Sequence, residues 1–206
     1  MTARDRMLGN IRKALGDGTQ GSSFDPPAGL VGPSATQPGR LASQFAESLK
    51  ALGGDVCFAA SAAEAGEVAK KIVDGRPYLA SAAPIVAACG FSTPFSREAA
   101  ASADFGISSA DFALADTGSL VFLSESRESR LISLLPPHHI AIVEVSKVVA
   151  GIEDLFTRVP RPAELSSSLV IVTGPSRTGD IEMRLVRGVH GPGHVTVILV
   201  DDVTHR

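Results

Sequence analysis

Leu169-Val-Ile-Val-Thr-Gly-Pro-Ser-Arg-Thr-Gly-Asp-Ile-Glu182 joins a β-branched apolar run to a Gly-Pro turn and then to a polar, acid-led stretch. The run predicts a strand. The residues from Asp180 to Arg187 predict a helix capped by Thr178, with Asp180 and Glu182 complementing its dipole in the first turn. That order puts a polar loop at the carboxyl end of a strand and the amino end of a helix. In open α/β sheets ligands bind at that edge, where unpaired N–H groups and the positive end of the dipole favour anions. Gly174, Ser176, Arg177 and Thr178 are therefore candidate contacts for a small anion. A bare helix cap accounts for the same residues, and Asp180 and Glu182 would oppose a dianion unless Arg177 offsets them.

The loop imitates two catalytic motifs and satisfies neither. Gly174 and Gly179 have the GxxxxG spacing of a phosphate-binding loop, but Asp180-Ile181 stands where Lys and Ser/Thr would contact phosphate and Mg²⁺. Gly174-Pro-Ser176 begins like a nucleophile elbow, yet Thr178 replaces the second Gly that lets such a turn close. Neither nucleotide hydrolysis nor a serine hydrolase is supported.

Working outward, apolar runs alternate with helical patterns. Leu41, Phe45, Leu49 and Leu52 form one helical face stopped by Gly53-Gly54, and Val56-Cys-Phe58 follows as a strand. Ser61-Ala-Ala-Glu64 is a capping box opening a helix that runs to about Asp74. Strands are expected near Pro77 to Ala80 and Ile85 to Ala88, and a Pro-bearing loop with an Ala-rich helix over Phe91 to Ala103. Further strands are expected at Gly106-Ile107, Leu120 to Leu123, Ile140 to Val143 and Val195 to Val200, with a helix from about Val148 to Arg158. Near-continuous apolar strands alternating with helices predict a three-layer α/β/α sandwich with a mostly parallel sheet. Residues 1–16 predict an amphipathic helix carrying Leu8, Ile11 and Leu15, residues 17–39 a flexible linker or arm of Gly, Pro, Ser and Thr, and residues 40–206 the α/β domain.

A chain of 206 residues with 44% hydrophobic content can bury one sizeable core. Its net charge of -3 and lack of a basic block argue against nucleic acid or an anionic membrane as partner. No apolar run is long enough to span a bilayer, so a cytoplasmic protein is expected. Cys57 and Cys89 lie in separate apolar segments with no CxxC, which gives no basis for a zinc or iron–sulfur site in this chain.

Other polar clusters interrupt the apolar pattern. Asp116-Thr-Gly-Ser119 precedes a strand, and the Thr117 and Ser119 hydroxyls with the Gly118 N–H could cup a carboxylate or phosphate; a plain turn is the competing reading. Arg127 and Arg130 have the fork geometry for oxyanions, although exposed arginines are ordinarily solvated or paired with an acid such as Glu125. His138 and His139 enter a strand and so must point to opposite faces, which weakens a two-His metal site. One of the two, His138, is the candidate proton donor or ligand contact, and a hydrogen-bonded structural histidine is the favoured competing reading. His190 and His194 are four apart, but three Gly or Pro breakers remove the helical geometry that zinc binding at that spacing needs, so no metal is expected.

Three segments carry a family resemblance: Asp116 to Ser119, Arg130 through Leu-Leu-Pro-Pro-His-His-Ile-Ala-Ile-Val143, and Thr173 to Glu182 followed by Gly188-Val-His-Gly-Pro192. With them the chain resembles the lactate utilisation protein C family, LUD-domain proteins also called LutC or YkgG. The resemblance is most specific from about Ser109 to Asp202. It implies a fold similar to the NagB/RpiA/CoA-transferase class and a part in oxidising L-lactate to pyruvate. It also implies partner subunits that carry the iron–sulfur clusters, with no cofactor in this chain. Two further readings stay open: a stand-alone sugar-phosphate isomerase or CoA-transferase-like enzyme, for which Asp111, Asp116 and Glu125 are the nearby carboxylates, and a ligand-sensing assembly module. No catalytic residue is transferred from the family.

Overall fold

The computed structural model describes residues 3–15, 37–124, 130–162, 166–178 and 186–202. Helix α1 (Ala3–Leu15) has Asp5 in its first turn and Arg12 and Lys13 in its last, and Met7, Leu8 and Ile11 are exposed on it. It belongs to a unit separate from the one that begins at Pro33.

The second unit is built on a five-stranded sheet in the order β1-β11-β6-β3-β2, with every pairing parallel. Its strands are β1 (Asp55–Ala59), β2 (Tyr78–Ala80), β3 (Phe105–Ser109), β6 (His138–Glu144) and β11 (His194–Val200). Helices α3 (Ala62–Val73) and α4 (Pro84–Ala88) cover one face through Ala65, Ala69, Val73 and Val86, packed on Phe105, Ile107, Ile140, Ile142 and Ile198. The opposite face meets Leu41, Phe45 and Leu49 of α2 (Pro38–Ala51). Their spacing is the helical stripe read from the sequence. Ser61 accepts from the Glu64 N–H at 3.2 Å, and the Glu64 carboxylate returns to the Ala60 N–H at 2.8 Å, so the expected capping pair is present one residue further back. Asp74, in the left-handed region at φ 49°, ends α3.

The layer on the α2 side also contains a second sheet, in the order β7-β4-β5-β8. Strands β4 (Phe112–Leu114) and β5 (Ser119–Leu123) form a hairpin, β7 (Val148–Val149) pairs parallel with β4, and β8 (Leu169–Thr173) pairs antiparallel with β5. Its inner face shares the α2 core, and Leu155 and Val159, in and just after α7 (Ile152–Arg158), cover Leu114 and Val121 on its outer face. Short helices α5 (Arg97–Ser102) and α6 (Leu131–Leu134) close the end near β2 around Leu79, Ala100 and Ile132.

Three expected elements differ. Ile85–Ala88 is helical rather than a strand: Ala83 is extended and Pro84 stands at the first helical position, where its fixed φ starts a helix and its missing N–H costs nothing. Val148-Val149 is a strand, and the helix expected from Val148 begins only at Ile152, with Glu153 and Asp154 in its first turn. The third is the helix expected over Asp180 to Arg187. Residues 179–185 lie outside the described residues, whereas β10 (Val186–Arg187) is a strand paired antiparallel with β9 (Arg177–Thr178).

Candidate functional site

Polar groups converge where β3, β5, β8 and α6 meet. Phe105 and Ile107 face α3 and α4, so alternation turns Gly106 and Ser108 to the other side of the sheet. Gly106 leaves room for backbone: a Cβ there would overlap the Ile132 carbonyl oxygen, so α6 lies directly on β3 only because residue 106 has no side chain. On β6 the register sets His139 opposite Gly106 and Ala141 opposite Ser108. His139 shares its face with Ala141 and Val143, which line the α2-side core. Its Nε2 is 2.8 Å from Ser108 Oγ, with Ser108 1% and His139 2% exposed.

Ser108 lines a cavity of about 50 Å³ together with Phe122, Leu123, Val170, Val172, Arg130, Ser133 and Leu134. That volume suits a ligand of a few heavy atoms. The lining residues are largely apolar, and the polar side chains among them belong to Ser108, Arg130 and Ser133. Arg130 is exposed, and its Nη1 donates to Ser168 Oγ at 3.1 Å. Ser133 Oγ donates to the Arg130 carbonyl at 3.0 Å, tying the arginine backbone to α6. The His139 ring packs against Phe122 with centroids 5.9 Å apart. Burial, reinforced by the neighbouring His138, holds its imidazole down to about 4, so it is neutral at physiological pH.

The other sequence candidates lie elsewhere. Thr117, Gly118 and Ser119 form the β4–β5 turn, with Gly118 at φ 66° and seated against the backbone of Ser48 and Leu49 on α2. Ser119 Oγ donates to Thr117 Oγ1 at 2.8 Å and lies 2.9 Å from Thr173 Oγ1. Gly174 packs on Leu52, and Arg177 Nη2 donates to the Leu52 carbonyl oxygen. The Ser176 N–H donates to Pro192 O at 2.9 Å, and Thr178 pairs with Val186. The two turns are thus neighbours through the Ser119–Thr173 contact, and residues 179–185, where the helix expected after Thr178 would begin, lie outside the described residues. β8 is not in the parallel sheet, and its carboxyl end lies beside the last residues of α2, just before β1 begins. The nearest described helix end is a carboxyl terminus, whose negative pole opposes an anion.

His138 is on the α3 and α4 face, away from the cavity. Its Nε2 is 2.8 Å from Thr196 Oγ1, and its ring tilts against Phe105 at 4.8 Å and His194 at 5.6 Å. Burial and then the charge of His194 lower it to about 4. Arg127 and Glu125 lie outside the described residues. Among the described residues no group of three His, Cys, Asp or Glu could hold a metal ion. Cys89 is buried and Cys57 half-buried, with both thiols raised by burial. Among the described residues no helix is long and apolar enough to cross a membrane.

A wider groove of about 600 Å³ lies at the carboxyl edge of β1 and β11, lined by Gln37, Pro38, Phe58, Glu64 and Asp201 among others. Its described lining brings carboxylates and no cation, so it does not favour an anion. Among the described sequence candidates, Arg130 lines a cavity whose charge suits one. Ser108 and His139 were not singled out in the sequence. The signal was there in strand parity: one of the two histidines had to face inward, and a serine interrupts an apolar strand.

The LUD domain model matches residues 90–200, which is more than half of the chain and includes Gly106, Ser108, Arg130 and His139. The chain belongs to the LUD domain family. Among relatives of this LUD domain protein, the lactate utilization protein C of Halalkalibacterium halodurans is 40% identical over 109 residues, covering 51% of this chain and 47% of that protein. The lactate utilization protein C of Geobacillus thermodenitrificans is 29% identical over 97% of this chain and 96% of its own length. At the higher identities the chain spans about half the length of the curated relatives it matches. A DUF162 family protein from Deinococcus radiodurans, solved by crystallography, superposes with a TM-score of 0.62 at 21% identity, over 80% of this chain and 99% of that one. That likeness shows the shared fold.

Proposed function

We propose that this LUD domain protein serves L-lactate utilisation as a subunit without a redox centre of its own, binding a small carboxylate in the Ser108–Arg130 cavity. Iron–sulfur partner proteins carry the electrons in this reading. The observation that carries it is that Arg130 is among the residues lining a cavity of about 50 Å³ whose other walls are mostly apolar. An arginine there attracts an anion from solvent and can grip a carboxylate through two parallel N–H bonds. Among the described residues Ser168 takes one guanidinium N–H of five, and in this reading the planar fork engages the ligand. The names of the relatives supply the metabolic setting. Two cysteines in this sequence are too few for a four-thiolate cluster, which supports a reading in which electron transfer belongs to another subunit.

The isomerase or transferase reading needs a carboxylate at the reacting centre, and none of the described cavity residues carries one. The Thr117–Ser119 and Gly174–Thr178 turns remain as a second anion site only if Arg177 can leave Leu52.

Calorimetric titration of the full chain with L-lactate and with pyruvate tests the proposal, paired with Arg130→Ala. Binding that falls at least tenfold in Arg130→Ala supports it, as does co-purification of iron–sulfur proteins with the native chain. Binding unchanged in that variant overturns the cavity assignment.

A further inference from the structure

Resting on the small-carboxylate reading of the same cavity, we infer that Ser108 recognises the C2 oxygen of a 2-hydroxy acid and that His139 is the positioning residue that orients the Ser108 hydroxyl. Ser108 is a buried polar side chain in the middle of a parallel strand, at a position where an apolar residue would otherwise fill the core. A hydroxyl offers one donor and two acceptor positions, and His139 Nε2 at 2.8 Å uses one of them. The remaining capacity belongs to the cavity that Ser108 lines, where Phe122, Val170, Val172 and Leu134 offer no side-chain partner.

The neutral His139 ring exists in one of two tautomers. With Nε2 bare, Ser108 donates inward and shows lone pairs to the cavity, which calls for a donor on the ligand. With Nε2 protonated, Ser108 accepts from His139 and turns its own proton to the cavity, which calls for an acceptor. A ligand hydroxyl satisfies both arrangements because it both donates and accepts. A carbonyl oxygen satisfies only the second, and a methylene satisfies neither and leaves the remaining hydrogen-bonding capacity of the buried hydroxyl unused. With Arg130 holding the carboxylate, the cavity is a two-point receptor that ranks a 2-hydroxy acid above a 2-oxo acid and both above an unsubstituted acid. Sites built to hydrogen-bond a hydroxyl discriminate strongly against analogues that lack it.

The test is titration of the full chain with L-lactate, pyruvate and propionate, which share the carboxylate and chain length and differ at C2. The expected order of affinity is lactate, then pyruvate, then propionate, with at least a tenfold gap between first and last. Ser108→Ala is expected to remove the preference and bring lactate and propionate to equal affinity. His139→Phe, which keeps the ring packed on Phe122, is expected to narrow the lactate-to-propionate ratio, and His139→Gln, which retains a hydrogen-bonding group, to restore part of it. Circular dichroism melting of each variant checks folding. Equal binding of lactate and propionate by the parent, or an unchanged ratio in Ser108→Ala, overturns the inference while leaving the carboxylate reading intact. Failure of all three acids to bind overturns that reading and the inference together.

Discussion

The carbonyl oxygen of Ile132 occupies the space that a side chain at Gly106 would fill, and this backbone contact between α6 and β3 fixes the height of the cavity roof. Arg130 and Ser133 flank Ile132, so the same contact positions the guanidinium relative to Ser108. Gly106→Ala should push α6 outward, costing about 1 to 3 kcal/mol, the range for inserting a methyl group into a packed site. Urea denaturation measures that loss. Carboxylate binding should fall with it, and an unaltered affinity in the folded variant would separate α6 from the site.

Stability should fall as pH drops below neutrality. His139 has a folded-state pKa of about 4 against an ordinary value of 6.5. The unfolded chain therefore binds a proton first, and the stability tied to the neutral ring is complete above about pH 6.5 and is lost as pH falls toward 4. A gap of that size corresponds to about 3 kcal/mol for the buried ring. His138, lowered to about 4 by burial and by His194, titrates over the same window. Denaturation midpoints between pH 7.5 and 4 should decline steeply in the parent and less in His139→Gln. Parallel profiles for the two proteins would show that His139 does not titrate in that range.

The α2-side hairpin turn makes a prediction of its own. Gly118 has φ 66° and sits against the backbone of Leu49, so Gly118→Ala meets both a left-handed backbone and a collision. The loss should exceed about 1 kcal/mol. A thermal melt checks it, and a variant as stable as the parent would mean that the turn is free to lift from α2.

Much of the parallel sheet could be read because its evidence is local. Leu41, Phe45 and Leu49 recur at helical spacing, Ser61 and Glu64 cap the start of α3, and Val195 to Val200 is an apolar run too long for a loop. The second sheet was hidden by length: β4 has three residues and β7 two, below the window in which alternation can be recognised. Ile85 to Ala88 failed for the same reason, since four apolar residues fit a helix as well as a strand and only Pro84 distinguishes them. The ligand loop was read at a carboxyl sheet edge because β8 looks like a parallel strand, and only its antiparallel pairing with β5 shows otherwise. Arg130 is legible as a candidate oxyanion contact from its chemistry alone. Which of His138 and His139 faces the α2-side core depends on which face of β6 the second sheet covers, a tertiary fact that neither residue carries.

Two arginines now compete as the anion anchor, and their variants should behave in opposite ways. Arg177 donates to the Leu52 carbonyl at the carboxyl end of α2, where a cation complements the dipole and satisfies an orphan acceptor. Arg177→Ala should lower stability by about 0.5 to 1 kcal/mol, the scale of such exposed terminal contacts, and leave the affinity for L-lactate within twofold of the parent. Among the described residues Arg130→Ala removes no helix cap and one exposed hydrogen bond to Ser168, so its stability should change by less than about 0.5 kcal/mol, as for most surface substitutions. Its carboxylate affinity should drop at least tenfold. Arg130→Lys should recover only part of the loss, because a point charge cannot reproduce a planar fork on a carboxylate. Titration and urea denaturation of the three variants side by side read both quantities. A loss of binding in Arg177→Ala with none in Arg130→Ala would move the ligand to the turns beside α2.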